Sequence, residues 1–221
     1  MSPLPPYELI RSDRRTLALQ ITADGRLVVR APRRMPEARI RAFVMEKRGW
    51  IERCQRTAAA REALCPPVRA EEGAPLPWLG GTLTLRFADV KAPEARAGVL
   101  LLPPGADADA LRAWMKETAL RLFTARAQQL SEKTGLQYSA LRVTNAKTRW
   151  GSCSGKNSLS FSFRLAMCSP EAIDYVIVHE LCHTRHKNHG PAFWALVEHF
   201  LPDWRVQRQW LRDHRDLMDA L

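Results

Sequence analysis

No histidine occurs in the first 178 residues of this 221-residue chain, and all six that it has come after them. Any chemistry that needs imidazole is therefore confined to the last fifth of the sequence. No run of eighteen apolar residues occurs, which excludes a helix that spans a membrane. No two cysteines share C-x-x-C spacing, and Cys54, Cys65, Cys153, Cys168 and Cys182 are an odd set, so reduced thiols are expected and a disulfide framework is not. Met1-Ser2-Pro3-Leu4-Pro5-Pro6 lacks the basic segment and apolar core of a signal peptide, so a cytoplasmic protein is expected. Neither internal repeats nor low-complexity segments are present. With 46% hydrophobic and 26% charged residues, the composition is that of an ordinary globular protein with a real core.

The charge is one-sided. Net charge is +11, and residues 1–60 hold 13 Lys or Arg against 6 Asp or Glu. Such a surface attracts anionic partners, nucleic acid among them. Aromatic residues do not interleave with the basic ones, so the pattern for stacking on bases is missing, and solvated helix faces account for the charge more simply.

Hydrophobic periodicity and turn residues predict mixed α and β structure. Thr16–Thr22 and Leu27–Arg30 read as strands around Ala23-Asp24-Gly25-Arg26, a hairpin turn. Pro36 opens a helical stretch that ends before Cys65-Pro66-Pro67. Leu76–Phe87 and Gly98–Leu102 read as short strands, and Pro103-Pro104-Gly105 as a linker. The chain accordingly divides into a β-rich region with one long helix, 1–104, and a second domain, 105–221. In the latter, Asp107 or Asp109 caps a helix that runs to about Lys133, with Leu111, Met115, Leu122, Ala125 and Gln129 down one stripe. Leu141–Thr144 and Leu159–Met167 read as strands around the loop Arg149-Trp150-Gly151-Ser152-Cys153. Ser169 and Pro170 then begin a helix that Asn188 and Gly190-Pro191 end, and helical stretches follow at about Ala192–Leu201 and Trp204–Leu217.

Four of the six histidines fall on that helix and its exit: His179-Glu180-Leu181-Cys182-His183, then His186 and His189. H-E-x-x-H on a helix places two imidazoles on one face, about 6 Å apart along the axis, within reach of one divalent ion. The adjacent glutamate then lies near the ion's open position, where it can take a proton from water. His186 is about 10.5 Å along the axis from His179 at helical rise, too far to share the ion easily. His189 follows the helix stop, so the chain can aim it back, and it is favoured as third ligand. H-E-x-x-H-x5-H is the metzincin spacing, in which glycine makes the turn. Here His186 stands in that place, and the turn is expected around Asn188 and Gly190. Cys182 points away from the histidines and reads as core. His199 and His214 read as exposed or capping residues. Oxyanion stabilisation falls to Arg149, Tyr175 or a backbone N–H, with Trp150 as a further substrate contact. The Ser158–Met167 strand is expected to be the edge that pairs with an extended peptide.

Arg149-Trp150-Gly151-Ser152-Cys153, Tyr175–His183, Asn188-His189 and Phe193-Trp194 together resemble the YgjP-like metallopeptidases, a family similar to the SprT-like and WLM zinc proteases. Arg14–Leu17, Val29–Pro32, Trp50-Ile51 and Leu79-Gly80 extend the resemblance over nearly the whole chain. It implies an α+β, zincin-like fold, with Zn2+ held by His179, His183 and His189 and with Glu180 as general base; the substrate does not come with the resemblance, and the leading expectation is a peptide or protein. Phe161-Ser162-Phe163-Arg164 departs from the Asn-Trp-Arg type of sequence usual there, which bears on the groove and not on the metal. Two alternatives remain. One is a nucleotide or phosphoanhydride hydrolase, suited by Arg149, Arg164, Arg185 and Lys187. The other is a DNA-associated protease, by analogy with SprT-like relatives.

Overall fold

Apolar residues on either side of Gly25 pair as strands, as their alternation predicts. The computed structural model describes residues 4–22, 25–64 and 68–221. In it β1 (Glu8–Ser12), β2 (Ala18–Ile21) and β3 (Leu27–Pro32) form a sheet in the order β1-β3-β2. The expected hairpin partners β2 and β3 are antiparallel, and β1 runs parallel to β3 on its other side. Ala23 and Asp24 of the predicted turn lie outside the described residues. Leu27, Val29 and Ala31 of the central strand are buried with Ile40, Val44 and Ile51. Burying each of the larger of these side chains stabilises the unit by about 1.5–3 kcal/mol. The helical stretch after Pro36 is two helices and not one, α1 (Glu37–Glu46) and α2 (Arg48–Leu64). Lys47, with ψ of 7°, leaves the helical path between them. The predicted stop at Cys65-Pro66-Pro67 lies outside the described residues.

These elements form the first of two units, Met1–Pro66; the second is Pro67–Leu221. The division thus falls before the strands β4 (Pro75–Trp78), β5 (Gly81–Phe87), β6 (Glu94–Arg96) and β7 (Val99–Leu102), not after them at 103–105. The reason lies in contacts far apart in sequence. The Leu79 N–H donates to the Ala166 carbonyl at 2.8 Å, and the Trp78 ring lies 4.9 Å from that of Trp114. Gly80, at φ +74°, passes so near Ser169 that a Cβ would come within 3.0 Å of its Cα. The four strands form a sheet in the order β4-β5-β7-β6.

Helix α3 (Ala108–Thr134) starts at Asp107, whose carboxylate accepts the N–H groups of Asp109 and Ala110, and ends at Gly135 with φ of 71°. Its buried stripe keeps the predicted Leu111 and Met115 but continues through Ala119, Phe123, Ala127 and Leu130, leaving Ala125 and Gln129 exposed. Phe123 is drawn in by an edge-to-face contact with Phe161, centroids 5.6 Å apart. A second sheet contains β8 (Ala140–Thr144), β9 (Gly151–Cys153) and β10 (Ser158–Ser162) in the order β8-β10-β9. Two corrections follow. The strand at Leu159 stops at Ser162, and Phe163–Met167 is a 3-10 turn. Moreover, β10 is paired on both sides, parallel to β8 and antiparallel to β9, so it is the centre of its sheet and not an edge.

Three helices complete the mixed α+β arrangement: α4 (Pro170–Cys182), α5 (Pro191–Phe200) and α6 (Trp204–Asp213). Ser169 Oγ accepts the Ala172 N–H at 3.2 Å and Pro170 takes the first turn, where no N–H is needed. Helix α4 packs against α3, α5, α6 and β9. Among the described residues, no helix is long and apolar enough to cross a membrane.

Candidate metal centre

Helix α4 is almost wholly buried, and its last turns carry His179, Glu180 and His183. It ends earlier than the sequence suggests. Cys182 is its last residue, and His183 caps it with its N–H on the His179 carbonyl. The His186 N–H then closes onto the Cys182 carbonyl at 2.9 Å. No left-handed residue makes the turn: Asn188 has no positive φ, and Gly190 sits at φ −78° as the cap of α5. An early helix end followed by a short irregular segment achieves what glycine was expected to do.

The result brings His189 back over the helix. Its Nε2 lies 3.0 Å from Nε2 of His179 and 3.1 Å from Nε2 of His183. Nitrogens bound ~2.0–2.1 Å from one ion at tetrahedral angles stand about 3.3 Å apart, so the triangle is close to what a shared cation requires. These three residues offer one ligand atom each, all within 4.8 Å of one another. His186 and Cys182 are not part of the group.

Two observations test the fit. The His183 Nδ1–H donates to the His186 carbonyl at 2.9 Å. A carbonyl only accepts, so the neutral ring must present a bare lone pair at Nε2, toward the other two histidines. Burial, followed by the charges of His183, His189 and Arg208, pushes His179 down to about 3. Burial also lowers His183, against the His186 carbonyl. Uncharged imidazoles with inward lone pairs are what a divalent cation binds. The rings are also clamped. His183 stacks on Phe193 at 4.4 Å and 27°. His189 stacks on Trp194, and Trp194 on Trp204 at 4.3 Å and 18°. The buried Nδ1 of His179 has no hydrogen-bond partner among the described residues.

Glu180 is 6% exposed and faces β9. Burial pushes its carboxyl up to about 7, opposed by Arg149 and by a hydrogen bond from the Cys153 N–H. The contact is tight enough to demand glycine at 151. A Cβ there would lie 2.9 Å from both Cγ and Oε1 of Glu180 and 3.0 Å from Val176 Cγ1. Strand β9 is a half-buried edge of its sheet. The Trp150 carbonyl accepts from Ser162 and the Ser154 N–H donates to Ser158, so residues 150, 152 and 154 bond to β10. By alternation, the main-chain groups of Gly151 and Cys153 face away from it. A segment read from sequence as a loop is therefore an edge strand beside Glu180.

A cleft of about 710 Å³ opens at this edge, and Arg149, Trp150 and Tyr175 line it together with His179 and Glu180. Burial pushes the Tyr175 phenol up to about 12, so it stays protonated. Sequence reasoning missed the opposite wall, Arg208, Leu211, Arg212 and Arg215. Only the i, i+3, i+4 recurrence of arginine along the last helix hints at it. Arg164 does not belong to the cleft. It is buried elsewhere, over the Phe163 ring at 4.4 Å, with its guanidinium on the Asn145 and Leu221 carbonyls. Lys187 is turned to the Ser154 carbonyl at 3.1 Å and to Asn157. His199 is exposed, and His214 donates to the Trp210 carbonyl at the end of α6. Cys54, Cys153, Cys168 and Cys182 are free thiols.

A family model described as YgjP-like, metallopeptidase domain, matches residues 15–214. Among solved structures, the metallopeptidase zymogen abylysin of Pyrococcus abyssi is 18% identical, with a TM-score of 0.38 over 41% of this chain and 93% of that one. The metallopeptidase zymogen jannalysin of Methanocaldococcus jannaschii is 19% identical, with a TM-score of 0.37 over 43% of this chain and 96% of that one. A comparison with curated proteins found no match.

Proposed function

The chain belongs to the YgjP-like metallopeptidase family, and on that premise we propose that it is a zinc peptidase of zincin-like fold. In this reading His179, His183 and His189 hold the ion and Glu180 is the general base. The observation that carries it is the Nε2 triangle, with edges of 3.0 and 3.1 Å at His189, adjoining one buried carboxyl in an open cleft. Three neutral imidazoles are the donor set of a catalytic zinc site that keeps one position free, whereas calcium and magnesium prefer oxygen.

A zinc ion bound there supplies Lewis acidity, which polarises the scissile carbonyl and makes water a competent nucleophile near neutral pH. The protein supplies the rest. A peptide extended along β9 would find the main-chain groups of Gly151 and the Cys153 carbonyl facing away from β10, the Cys153 N–H being held by Glu180, and backbone hydrogen bonds there would align the scissile bond. A Glu180 carboxylate oxygen takes the proton of the attacking water and returns it to the departing amide nitrogen. Burial favours the protonated carboxyl, which helps Glu180 hold that proton until the amide nitrogen departs. The Arg149 guanidinium and the Tyr175 hydroxyl, both lining the cleft, are the available donors to the oxyanion.

The test is Glu180→Gln on zinc-loaded protein. Peptide turnover should fall by about 100- to 10,000-fold with zinc content unchanged. Retained turnover removes Glu180 from the mechanism, and zinc-loaded parent protein that cleaves no peptide removes the peptidase reading.

A further inference from the structure

Among the residues that line the cleft, one carboxylate, Glu180, meets four guanidinium groups, Arg149, Arg208, Arg212 and Arg215. Several exposed arginines elsewhere sit on carboxylates, among them Arg33 on Asp13, Arg41 on Glu37, Arg86 on Glu72, Arg121 on Glu117 and Arg205 on Glu198. None of the four in the cleft has such a partner within 4.0 Å among the described residues. The cleft therefore concentrates positive charge that the protein does not neutralise itself.

The arrangement is also partly preformed. The Arg208 guanidinium lies 5.1 Å over the Trp194 ring and 5.7 Å from that of Trp204, which limits its freedom before anything binds. Arg215 donates to the Thr148 carbonyl at 3.4 Å, joining the 3-10 turn after α6 to the loop that carries Arg149. Leu211 is buried between Arg208 and Arg212, and Trp150, Tyr175 and Val176 contribute apolar surface, so a charge placed there is less screened than in open water.

We propose that this cleft is a subsite for carboxylates, so that the peptides cleaved here carry Asp or Glu close to the scissile bond, held by Arg208 and Arg212. The inference rests on the peptidase reading and gives it a substrate class. Arg208 and Arg212 are one helical turn apart, about 6 Å along the axis, and same-face side chains of an extended peptide recur about every 6.8 Å. Two acidic side chains at alternate positions can thus each meet a guanidinium. Guanidinium and carboxylate pair through two parallel N–H···O bonds, which gives direction as well as attraction.

The experiment uses the zinc-loaded full chain and a proteome-derived peptide mixture, with cleavage sites read by mass spectrometry. Asp and Glu should be enriched within about three residues of the cut bonds. For a matched pair of acidic and neutral peptides, Arg212→Gln should lower the acidic preference roughly ten-fold, mainly through KM. Arg212→Glu should turn the preference toward basic peptides. The preference should also shrink between about 0.05 and 0.5 M salt. Arg212 is exposed, so unchanged zinc content and melting temperature will show that these variants fold. Cleavage with no acidic enrichment, or a preference untouched by Arg212→Glu, overturns the subsite while leaving the peptidase standing. If no peptide is cut and a nucleoside triphosphate is hydrolysed instead, with loss in Arg212→Gln, both readings fall and the arginines belong to phosphate.

Discussion

Replacing Gly151 by alanine tests the idea that strand β9 positions the carboxyl of Glu180. Gly151 is not among the glycines with positive φ, so alanine is conformationally acceptable there and only its Cβ matters. That atom would meet Cγ and Oε1 of Glu180 at 2.9 Å and Val176 Cγ1 at 3.0 Å. Unstrained heavy-atom contacts of this kind are about 3.5–4.0 Å, so either β9 or the Glu180 side chain must move by roughly 0.5–1 Å. Overpacking on this scale costs about 1–3 kcal/mol, and a loss of 2 kcal/mol lowers the melting temperature by about 4–8 °C in a protein of this size. A misplacement near 1 Å costs about 100-fold in rate. Calorimetry, peptide turnover and zinc analysis on Gly151→Ala should therefore show lower Tm, about 100-fold lower kcat/KM and unchanged zinc. The steric origin has its own check. In a Glu180→Ala background two of the three contacts vanish, and the stability cost of Gly151→Ala should shrink accordingly. Parental Tm and rate in Gly151→Ala, or the same cost in both backgrounds, would refute the argument.

His189→Ala should weaken zinc binding by more than ~100-fold, beyond the 10–100-fold typical of an outer-shell partner. His186→Ala should leave affinity within about 3-fold, because it is the main-chain carbonyl of His186 that accepts from His183. Chelator competition measures both, and equal losses would contradict the assigned ligand set. The pH dependence of the metal-free protein gives an independent handle on Glu180. Its carboxyl is held at about 7 when folded against 4.5 as an ordinary value. Between these values the folded chain keeps a proton that the unfolded chain releases, so stability falls as pH rises from about 4.5 through 7, by about 3 kcal/mol in all. Metal-free Glu180→Gln should accordingly be more stable than the parent at about pH 8 and equal to it near pH 4.5. Denaturant titrations that show no pH-dependent difference would rule out a buried carboxyl as the source.

Legibility followed the range of the interaction. Asp107, Ser169 and Pro170 act on the next few residues, and each begins its helix where the sequence says. The strand pair around Gly25 is equally local. Errors entered where a partner far along the chain decides. Apolar residues on α3 are not confined to one stripe, and the contact with Phe161 selects Phe123 over Ala125 and Gln129. Strand β10 looks like an edge in isolation because only pairing with both β8 and β9 shows that it is central. Strands β4–β7 join the second unit through Leu79 and Ala166, 87 positions apart.

The sequence by itself determined the donor set of the candidate metal centre. H-E-x-x-H on a helix puts His179 and His183 on one face by helical geometry alone, and a helix stop before His189 frees it to return. Tertiary structure decided how that centre is held and what it faces. The lone pair of His183 is aimed by a carbonyl released when α4 ends early, Glu180 is pressed by a strand whose glycine leaves no room to spare, and a wall of arginines arrives from α6. Spacing along one helix is written in consecutive residues. The identity of a neighbouring wall is set by which elements pack together, and that is a property of the whole fold.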